Sequence, residues 1–213
     1  MLATLPNILT IARIALVPAL VAACYVEAPV GNWAALLIFA TAAVTDYLDG
    51  YLARSLGQVS AIGRFLDPVA DKLLIASAIL VLVALDRISG ATTLAALVIL
   101  CREILVSGLR EFLAEVSVSV PVSNLAKWKT ALQMVALGFL LIGPAAPFDI
   151  PATEIGALGL WLAALLTLYT GYDYLRAGLG HMRGGAGARG NRAAAPIEPG
   201  APVASTESET VPR

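Results

Sequence analysis

The sequence predicts an all-α integral membrane protein with six transmembrane helices, and three observations carry that prediction. Hydrophobic residues make up 59% of the 213 residues, and charged residues only 14%. The mean hydropathy of +0.82 lies well above the range of soluble domains. Apolar segments of about 20 residues, the length that a helix needs to cross the hydrocarbon core, follow one another along the chain. The formal net charge of −1 is unsuited to binding a polyanion, so no nucleic-acid partner is expected.

The six predicted spans alternate with short connections that contain Gly, Pro and Ser. They are Leu5–Tyr25, Trp33–Leu52, Phe65–Leu85, Thr92–Leu113, Trp128–Gly143 and Ile155–Leu175. An even number of spans places both termini on the same side of the membrane. Lys and Arg concentrate at the segment ends on that side, whereas the opposite ends carry mainly Arg87. By the positive-inside rule, the side with the termini is the cytoplasm.

The composition changes after the sixth span. From about Gly180 onward the chain is rich in Gly, Ala, Pro and Ser and shows no apolar periodicity. Segments of this composition bury too little apolar surface to fold alone. We therefore expect residues 1–178 to form a six-helix transmembrane domain and residues 179–213 to form a disordered cytoplasmic tail.

A charged window interrupts this apolar chain between the second and third spans. It reads TDYLDGYLARSLGQVSAIGRFLDPVADK and holds four aspartates. At spacings of i, i+3, i+4 and i+7, one face of the second span carries Asp46, Asp49, Gly50 and Ala53. At spacings of i, i+4 and i+8, one face of the third span carries Gly63, Asp67 and Asp71. Two helix ends joined by a short cytoplasmic loop would therefore present four carboxylates towards one another.

Four crowded carboxylates require compensation, because an aspartate at the centre of a transmembrane helix costs about 2.5–3.5 kcal/mol. Such groups either take up protons or bind a cation, and oxygen ligands without His or Cys favour Mg²⁺, Mn²⁺ or Ca²⁺. The glycines leave room for a ligand, and Arg54 and Arg64 can meet phosphate oxygens. The window therefore predicts a site for metal and a diphosphate. The alternative, surface salt bridges to Arg54, Arg64 and Lys72, does not explain why all four aspartates share helical faces with glycines.

The same window carries a family resemblance. Its eight fixed positions are Asp46, Asp49, Gly50, Ala53, Arg54, Gly63, Asp67 and Asp71. This pattern resembles, with no departure, the signature of the CDP-alcohol phosphatidyltransferase family. Further segments, among them LPNILTIARIALVPALVA and REILVSGLREFLAE, are similar to the branch of that family whose acceptor is sn-glycerol 3-phosphate. The similarity covers about the first 175 residues and leaves out the tail.

The resemblance implies the family's fold, with residues 1–178 as the catalytic domain and an active site on the cytoplasmic side. It implies transfer of the phosphatidyl group of CDP-diacylglycerol to sn-glycerol 3-phosphate, which gives phosphatidylglycerol phosphate and CMP. One or two divalent metal ions, Mg²⁺ or Mn²⁺, would be held by Asp46, Asp49, Asp67 and Asp71. Asp71 would also be the general base. The CDP pocket would be formed by Asp46, Gly50, Ala53, Arg54, Gly63 and Asp67. A homodimer in the lipid of a bacterial inner membrane is expected.

The acceptor phosphate needs cations of its own near the aspartates. We expect Arg110 and Lys129 to bind it, with Lys127 and Arg64 as further candidates, although each also fits a positive-inside anchor. Asn7 and Thr10 are candidates for the edge of the metal or nucleotide site, and a helix cap explains Asn7 equally well. Charged residues near the middle of the fourth span, Arg102 and Glu103, are expected to pair inside the helix bundle in a structural role.

Two alternative functions stay open at this point. Another member of the same family, such as one that uses inositol phosphate, would carry the same aspartates and differ in its acceptor pocket. A divalent-cation transporter would also need carboxylates, but here they cluster at one membrane end and no broken helices in inverted halves are visible. A non-enzymatic scaffold gives no reason for four unneutralised acids.

Overall fold

The protein, described by a computed structural model over residues 5–55, 61–115 and 124–193, is helical in all its regular elements, and no strand occurs among these residues. The helices are α1 Leu5–Cys24, α2 Val30–Ser55, α3 Ala61–Ala84, α4 Ala91–Glu115, α5 Asn124–Ile142 and α6 Ala152–Ala193. Two short 3-10 turns, Gly143–Ala145 and Pro147–Asp149, connect α5 to α6. The all-α fold class predicted from the sequence is confirmed.

Within residues 5–55, 61–115 and 124–193, four helices are long and apolar enough to cross a membrane. They are the segments Asn7–Cys24, Ala91–Leu113, Trp128–Ala145 and Ala152–Tyr172. In α2 the apolar part is shorter, Val30–Asp46, and α3 carries Asp67, Asp71 and Lys72 within its first half. The fold is therefore that of a multi-pass membrane protein, with the charged motif on the two helices that are not among these four.

Contacts divide the chain into two units, Met1–Gly178 and Leu179–Arg213. The helical assignment of α6 continues past Gly178 to Ala193, although a disordered tail was expected from residue 179. Alanine and arginine, both good helix formers, alternate with the glycines of this stretch. Residues 194–213 lie outside the described chain, so the predicted division into a catalytic domain and a tail stays a prediction.

The core of the first unit lies where α1 packs against α2 and α3, and α2 against α5. Its fully buried side chains include Leu20, Phe39, Leu74, Leu137 and Leu160. Large apolar side chains also cover the outside, among them Leu80 at 72% and Leu158 at 64% exposure. An apolar exterior of this kind suits lipid, because a bilayer solvates apolar side chains on the outer faces of the helices.

The α5–α6 contact depends on small residues. A Cβ atom added at Gly156 would lie 2.7 Å from Leu140 Cγ and 3.0 Å from the Ala136 carbonyl oxygen. At Gly159 an added Cβ would lie 2.9 Å from Ala136 Cβ. Small residues at a helix interface let two membrane helices approach each other at backbone distance.

The turn between α3 and α4 is attached to two other helices by one guanidinium group. Arg87 donates from Nη1 to the Leu141 carbonyl over 2.5 Å and from Nη2 to Asn32 Oδ1 over 2.7 Å. Asn32 in turn donates from Nδ2 to the Ile142 carbonyl over 2.8 Å. Partial burial lowers the pKa of the Arg87 guanidinium from its ordinary value. This network joins α2, the α3–α4 turn and α5 at the end of the bundle opposite the aspartates.

Candidate functional site

Helix α1 contributes a polar face to the aspartate motif. Asn7, Thr10 and Arg13 follow one another at three-residue spacing, so they lie on one side of the helix. Their exposures are 1%, 0% and 0%, in a helix whose other buried side chains are apolar. Buried polar groups in a membrane helix need polar partners. Partners of Arg13 and Thr10 lie on α2 and α3, respectively.

Arg13 and Thr10 each contact one aspartate of the motif. Arg13 Nη1 donates to Asp46 Oδ1 over 2.5 Å, joining a fully buried guanidinium to a carboxylate that is 43% exposed. Thr10 Oγ1 donates to Asp67 Oδ1 over 2.7 Å. One turn of α1 therefore holds a carboxylate from each of the two helices that carry the motif.

Arg13 was not among the residues predicted for the site. The signal that could have found it was present, because an arginine within an apolar span is costly unless it faces a partner in the bundle. Its three-residue offset from Thr10 also placed both residues on one face. The sequence could not indicate that this face of α1 packs beside Asp46, which lies 33 residues away.

Asp71 lies one turn beyond Asp67 on α3 and is partly buried. It is within electrostatic range of Asp46 on α2, Arg13 on α1 and Glu103 on α4. The neighbouring Lys72 donates from Nζ to the Pro68 carbonyl of its own helix over 3.2 Å. Lys72 is also within electrostatic range of Asp71.

Six predicted site residues fall outside the residues whose side chains are described. They are Asp49, Gly50, Ala53, Arg54, Arg64 and Lys127. Their assignments to metal, CDP and acceptor phosphate stay predictions. Gly63, which was assigned to the CDP pocket, is buried at the start of α3.

The chemistry of the donor set suits a hard divalent cation, because the three described aspartates of the motif offer only carboxylate oxygens. No group of three or more His, Cys, Asp or Glu among the described residues is close enough to hold a metal ion. Asp46 is directed to Arg13, and Asp67 accepts from Thr10. The side chain of Asp49, the remaining aspartate of the motif, is not among the described side chains.

A second charged cluster lies across α4, α5 and α6. Lys129 is buried, at 2% exposure, and its Nζ donates to Glu103 Oε1. Arg102 Nη1 reaches the same oxygen over 3.4 Å, and Arg102 Nη2 donates to Thr170 Oγ1 over 3.2 Å. The expected pairing of Arg102 and Glu103 inside the bundle is confirmed, whereas the part of Lys129 in it was not foreseen.

Two of the four candidate cations for the acceptor phosphate have described side chains, and they differ in their surroundings. Lys129 is within electrostatic range of Asp71, so the second cluster adjoins the aspartate site. Arg110 is exposed on α4. The structure therefore places Lys129 within electrostatic range of Asp71, while it leaves Arg110 at the surface.

Together these features define a class of protein: a multi-pass helical membrane protein with carboxylates from two helices beside a buried lysine and arginine. A sequence model of the CDP-alcohol phosphatidyltransferase family matches residues 3–169. A curated protein of Rickettsia bellii (strain RML369-C) is 48% identical over 173 residues, covering 81% of this chain and 94% of that protein. A protein of Cereibacter sphaeroides is 36% identical over 215 residues, covering 84% and 97%.

Both relatives bear the name CDP-diacylglycerol–glycerol-3-phosphate 3-phosphatidyltransferase. A plant relative from Arabidopsis thaliana, with the same name followed by the number 2, is 40% identical over 185 residues and is covered over 78% of its length. The chain belongs to the CDP-alcohol phosphatidyltransferase family. The resemblance of its eight-position motif to that family is thereby confirmed.

Proposed function

We propose that the protein transfers the phosphatidyl group of CDP-diacylglycerol to sn-glycerol 3-phosphate, giving phosphatidylglycerol phosphate and CMP. The names of its relatives support this reaction. One structural observation carries it: Asp71, the carboxylate assigned as general base, lies within electrostatic range of the buried cation Lys129. A base beside a buried cation suits an acceptor that carries both a hydroxyl group and a phosphate.

In this reaction Asp71 takes the proton from the C1 hydroxyl of glycerol 3-phosphate. The freed oxygen attacks the phosphatidyl phosphorus, and the bond from that phosphorus to the CMP oxygen breaks. The proton stays on Asp71 until solvent removes it, and CMP leaves with the electron pair of the broken bond. The residues that would hold a divalent metal ion, Mg²⁺ or Mn²⁺, are Asp46, Asp49, Asp67 and Asp71. When bound, the metal neutralises charge on the diphosphate.

The substrate contacts divide between the two polar clusters. The pocket for CDP comprises Asp46, Gly50, Ala53, Arg54, Gly63 and Asp67. The acceptor phosphate binds Lys129 and Arg110, with Lys127 and Arg64 as further candidates. Thr10 acts through Asp67, because its hydroxyl donates to that carboxylate. Asn7, buried one turn before Thr10 on α1, completes the edge of the metal site.

We further propose six membrane spans, with α2 and α3 added to the four apolar helices and the active site on the cytoplasmic side. The basic residues at the motif end of the bundle support this orientation. Both termini are then cytoplasmic, and the membrane is the bacterial inner membrane, where CDP-diacylglycerol is a lipid of the same bilayer. The assembly is a homodimer, which small-residue helix faces would permit.

The reaction is tested by measuring CMP release from CDP-diacylglycerol with and without sn-glycerol 3-phosphate, using purified protein in detergent with Mg²⁺ or Mn²⁺. CMP release should depend on the acceptor, and radiolabel from glycerol 3-phosphate should enter lipid. Asp71→Asn should abolish both. If inositol phosphate supports release and glycerol 3-phosphate does not, the proposed acceptor is wrong. Uptake of metal into proteoliposomes without CMP release would favour a transporter.

A further inference from the structure

A carboxylate stands beside the cation that we assign to the acceptor phosphate. Glu103 Oε1 accepts from Lys129 Nζ, and Arg102 Nη1 donates to the same oxygen over 3.4 Å. Side-chain exposure is 3% for Lys129 and 19% for Glu103. One carboxylate oxygen of α4 is therefore shared by a cation on its own helix and a cation on α5.

Arg102 is itself held by α6. Its Nη2 donates to Thr170 Oγ1 over 3.2 Å, and Thr170 Oγ1 donates to the Leu166 carbonyl over 2.9 Å. The backbone of α6 comes close to this side chain, because a Cβ atom at Gly171 would lie 3.1 Å from Arg102 Cγ. The chain of contacts from Lys129 through Glu103 and Arg102 thus ends on a third helix.

A carboxylate at a phosphate site has two opposing effects. It repels the phosphate, which weakens binding. It also compensates the cost of burying an ammonium group away from water and restricts the flexible stem of the lysine to one direction. Which effect dominates depends on burial, because a buried lysine without a counter-charge either moves towards water or loses its proton. With Lys129 almost fully buried, placement of the ammonium dominates.

We propose that Glu103 is a positioning residue that holds the Lys129 ammonium at the acceptor-phosphate site and joins it through Arg102 to α6. This inference rests on the proposed function, because it assigns Lys129 to the phosphate of the acceptor. Glu103 is also within electrostatic range of Asp71. The cluster that holds the Lys129 ammonium therefore lies in electrostatic range of the proposed base.

The test is the KM for glycerol 3-phosphate, measured by CMP release at saturating CDP-diacylglycerol. Glu103→Gln keeps the shape and removes the charge, and it should raise this KM about tenfold, in line with losing a hydrogen bond between charged groups. The KM for CDP-diacylglycerol should not change. If repulsion between Glu103 and the phosphate were the larger effect, the opposite result is expected, because removing the anion would lower the KM for glycerol 3-phosphate. A KM that falls or stays the same overturns the proposal.

The matched control is Glu111→Gln, which removes an exposed carboxylate two turns further along α4 and should leave both KM values unchanged.

Glu103→Asp keeps the charge but withdraws it by one methylene group, so it should raise the KM for glycerol 3-phosphate less than Glu103→Gln does. If Glu103→Gln does not fold, the Asp variant decides, and an unchanged KM in that variant overturns the proposal.

A purely structural role is separated from positioning by a double-mutant cycle. In a Lys129→Met background, Glu103→Gln should change the KM for glycerol 3-phosphate by less than about twofold, because the group that it positions is gone. A tenfold change in that background would contradict the proposal. The proposed function is judged on the wild-type protein alone. If the wild type uses a different phosphorylated acceptor, the proposed acceptor fails, and the same cycle is measured with the KM of that acceptor.

Discussion

Arg13 of α1, whose side chain is fully buried, donates to Asp46 of α2 over 2.5 Å. The pair joins a helix without any motif residue to the first aspartate of the motif. A fixed guanidinium here supplies one positive charge beside a sequence motif that has four aspartates. This charge is permanent, because Arg is not deprotonated in proteins.

Arg13→Met should lower the free energy of unfolding by about 2 kcal/mol, measured by SDS titration in mixed micelles. Breaking a fully buried ion pair costs about 3–5 kcal/mol. The loss is smaller here, because Asp46 is 43% exposed and water can solvate it. Arg176→Met, which changes an exposed arginine on α6, should have little effect. Equal unfolding curves for the Arg13 variant and the wild type would show that the pair contributes no stability.

Thr10→Val should raise the Mn²⁺ concentration for half-maximal CMP release about tenfold, since loss of a group that orients a metal ligand typically weakens binding by that order. The substitution keeps the shape of the side chain and removes the hydroxyl that donates to Asp67 over 2.7 Å. Thr45→Val is the matched control, because the Thr45 hydroxyl donates to the Thr41 carbonyl of its own helix. If both variants and the wild type needed the same Mn²⁺ concentration for half-maximal CMP release, Thr10 would have no role in orienting Asp67.

Gly156→Ala should destabilise the α5–α6 contact by about 1–3 kcal/mol, the usual range for overpacking. The added Cβ would lie 3.0 Å from both the Ala136 carbonyl oxygen and the Leu140 amide nitrogen, and backbone atoms cannot move aside as a flexible side chain can. Gly108→Ala on α4 is the control, because no described atom lies within 4 Å of its added Cβ. If both variants unfolded at the same SDS concentration, close packing of α5 against α6 would be contradicted.

Arg87→Lys should lower the free energy of unfolding by about 1–3 kcal/mol, although it keeps the charge. The guanidinium reaches the Leu141 carbonyl and Asn32 Oδ1 at once, and a compact ammonium on a different stem cannot reproduce that fork. Asp86→Asn provides a control at the adjacent position, since Asp86 is exposed and has a positive φ of 54° that asparagine tolerates. If Arg87→Lys were as stable as the wild type, the two hydrogen bonds of the guanidinium would contribute nothing to the free energy of unfolding.

The helix bounds predicted from the sequence were most accurate where the apolar segment and the helix have nearly the same length. The first span was expected at Leu5–Tyr25 and α1 is Leu5–Cys24; the fourth was expected at Thr92–Leu113 and α4 is Ala91–Glu115. The correspondence was poorer for α2 and α6. Their helices continue to Ser55 and Ala193, beyond the apolar segments. Backbone hydrogen bonding continues a helix where hydropathy no longer marks it.

In the candidate site, contacts between residues close in the sequence could be predicted, whereas contacts between distant residues could not. Helical spacing placed Asp67 and Asp71 on one face of α3, because that depends on residues one turn apart. It did not predict that Glu103 would accept from Lys129, a residue 26 positions away. A periodic pattern identifies the polar face of each helix, but not which face of a neighbour it meets.

The sequence by itself determined the helical membrane class and the carboxylate motif, and the match of its motif to the family signature placed it among the CDP-alcohol phosphatidyltransferases. Each of these depends on composition or on spacing within one or two neighbouring helices. Only the tertiary structure decided that Arg13 and Thr10 of α1 contact the motif, and that Lys129 is held by Glu103. The physical reason is that buried charges in a bundle find partners through helix packing, and packing is a property of whole helix surfaces.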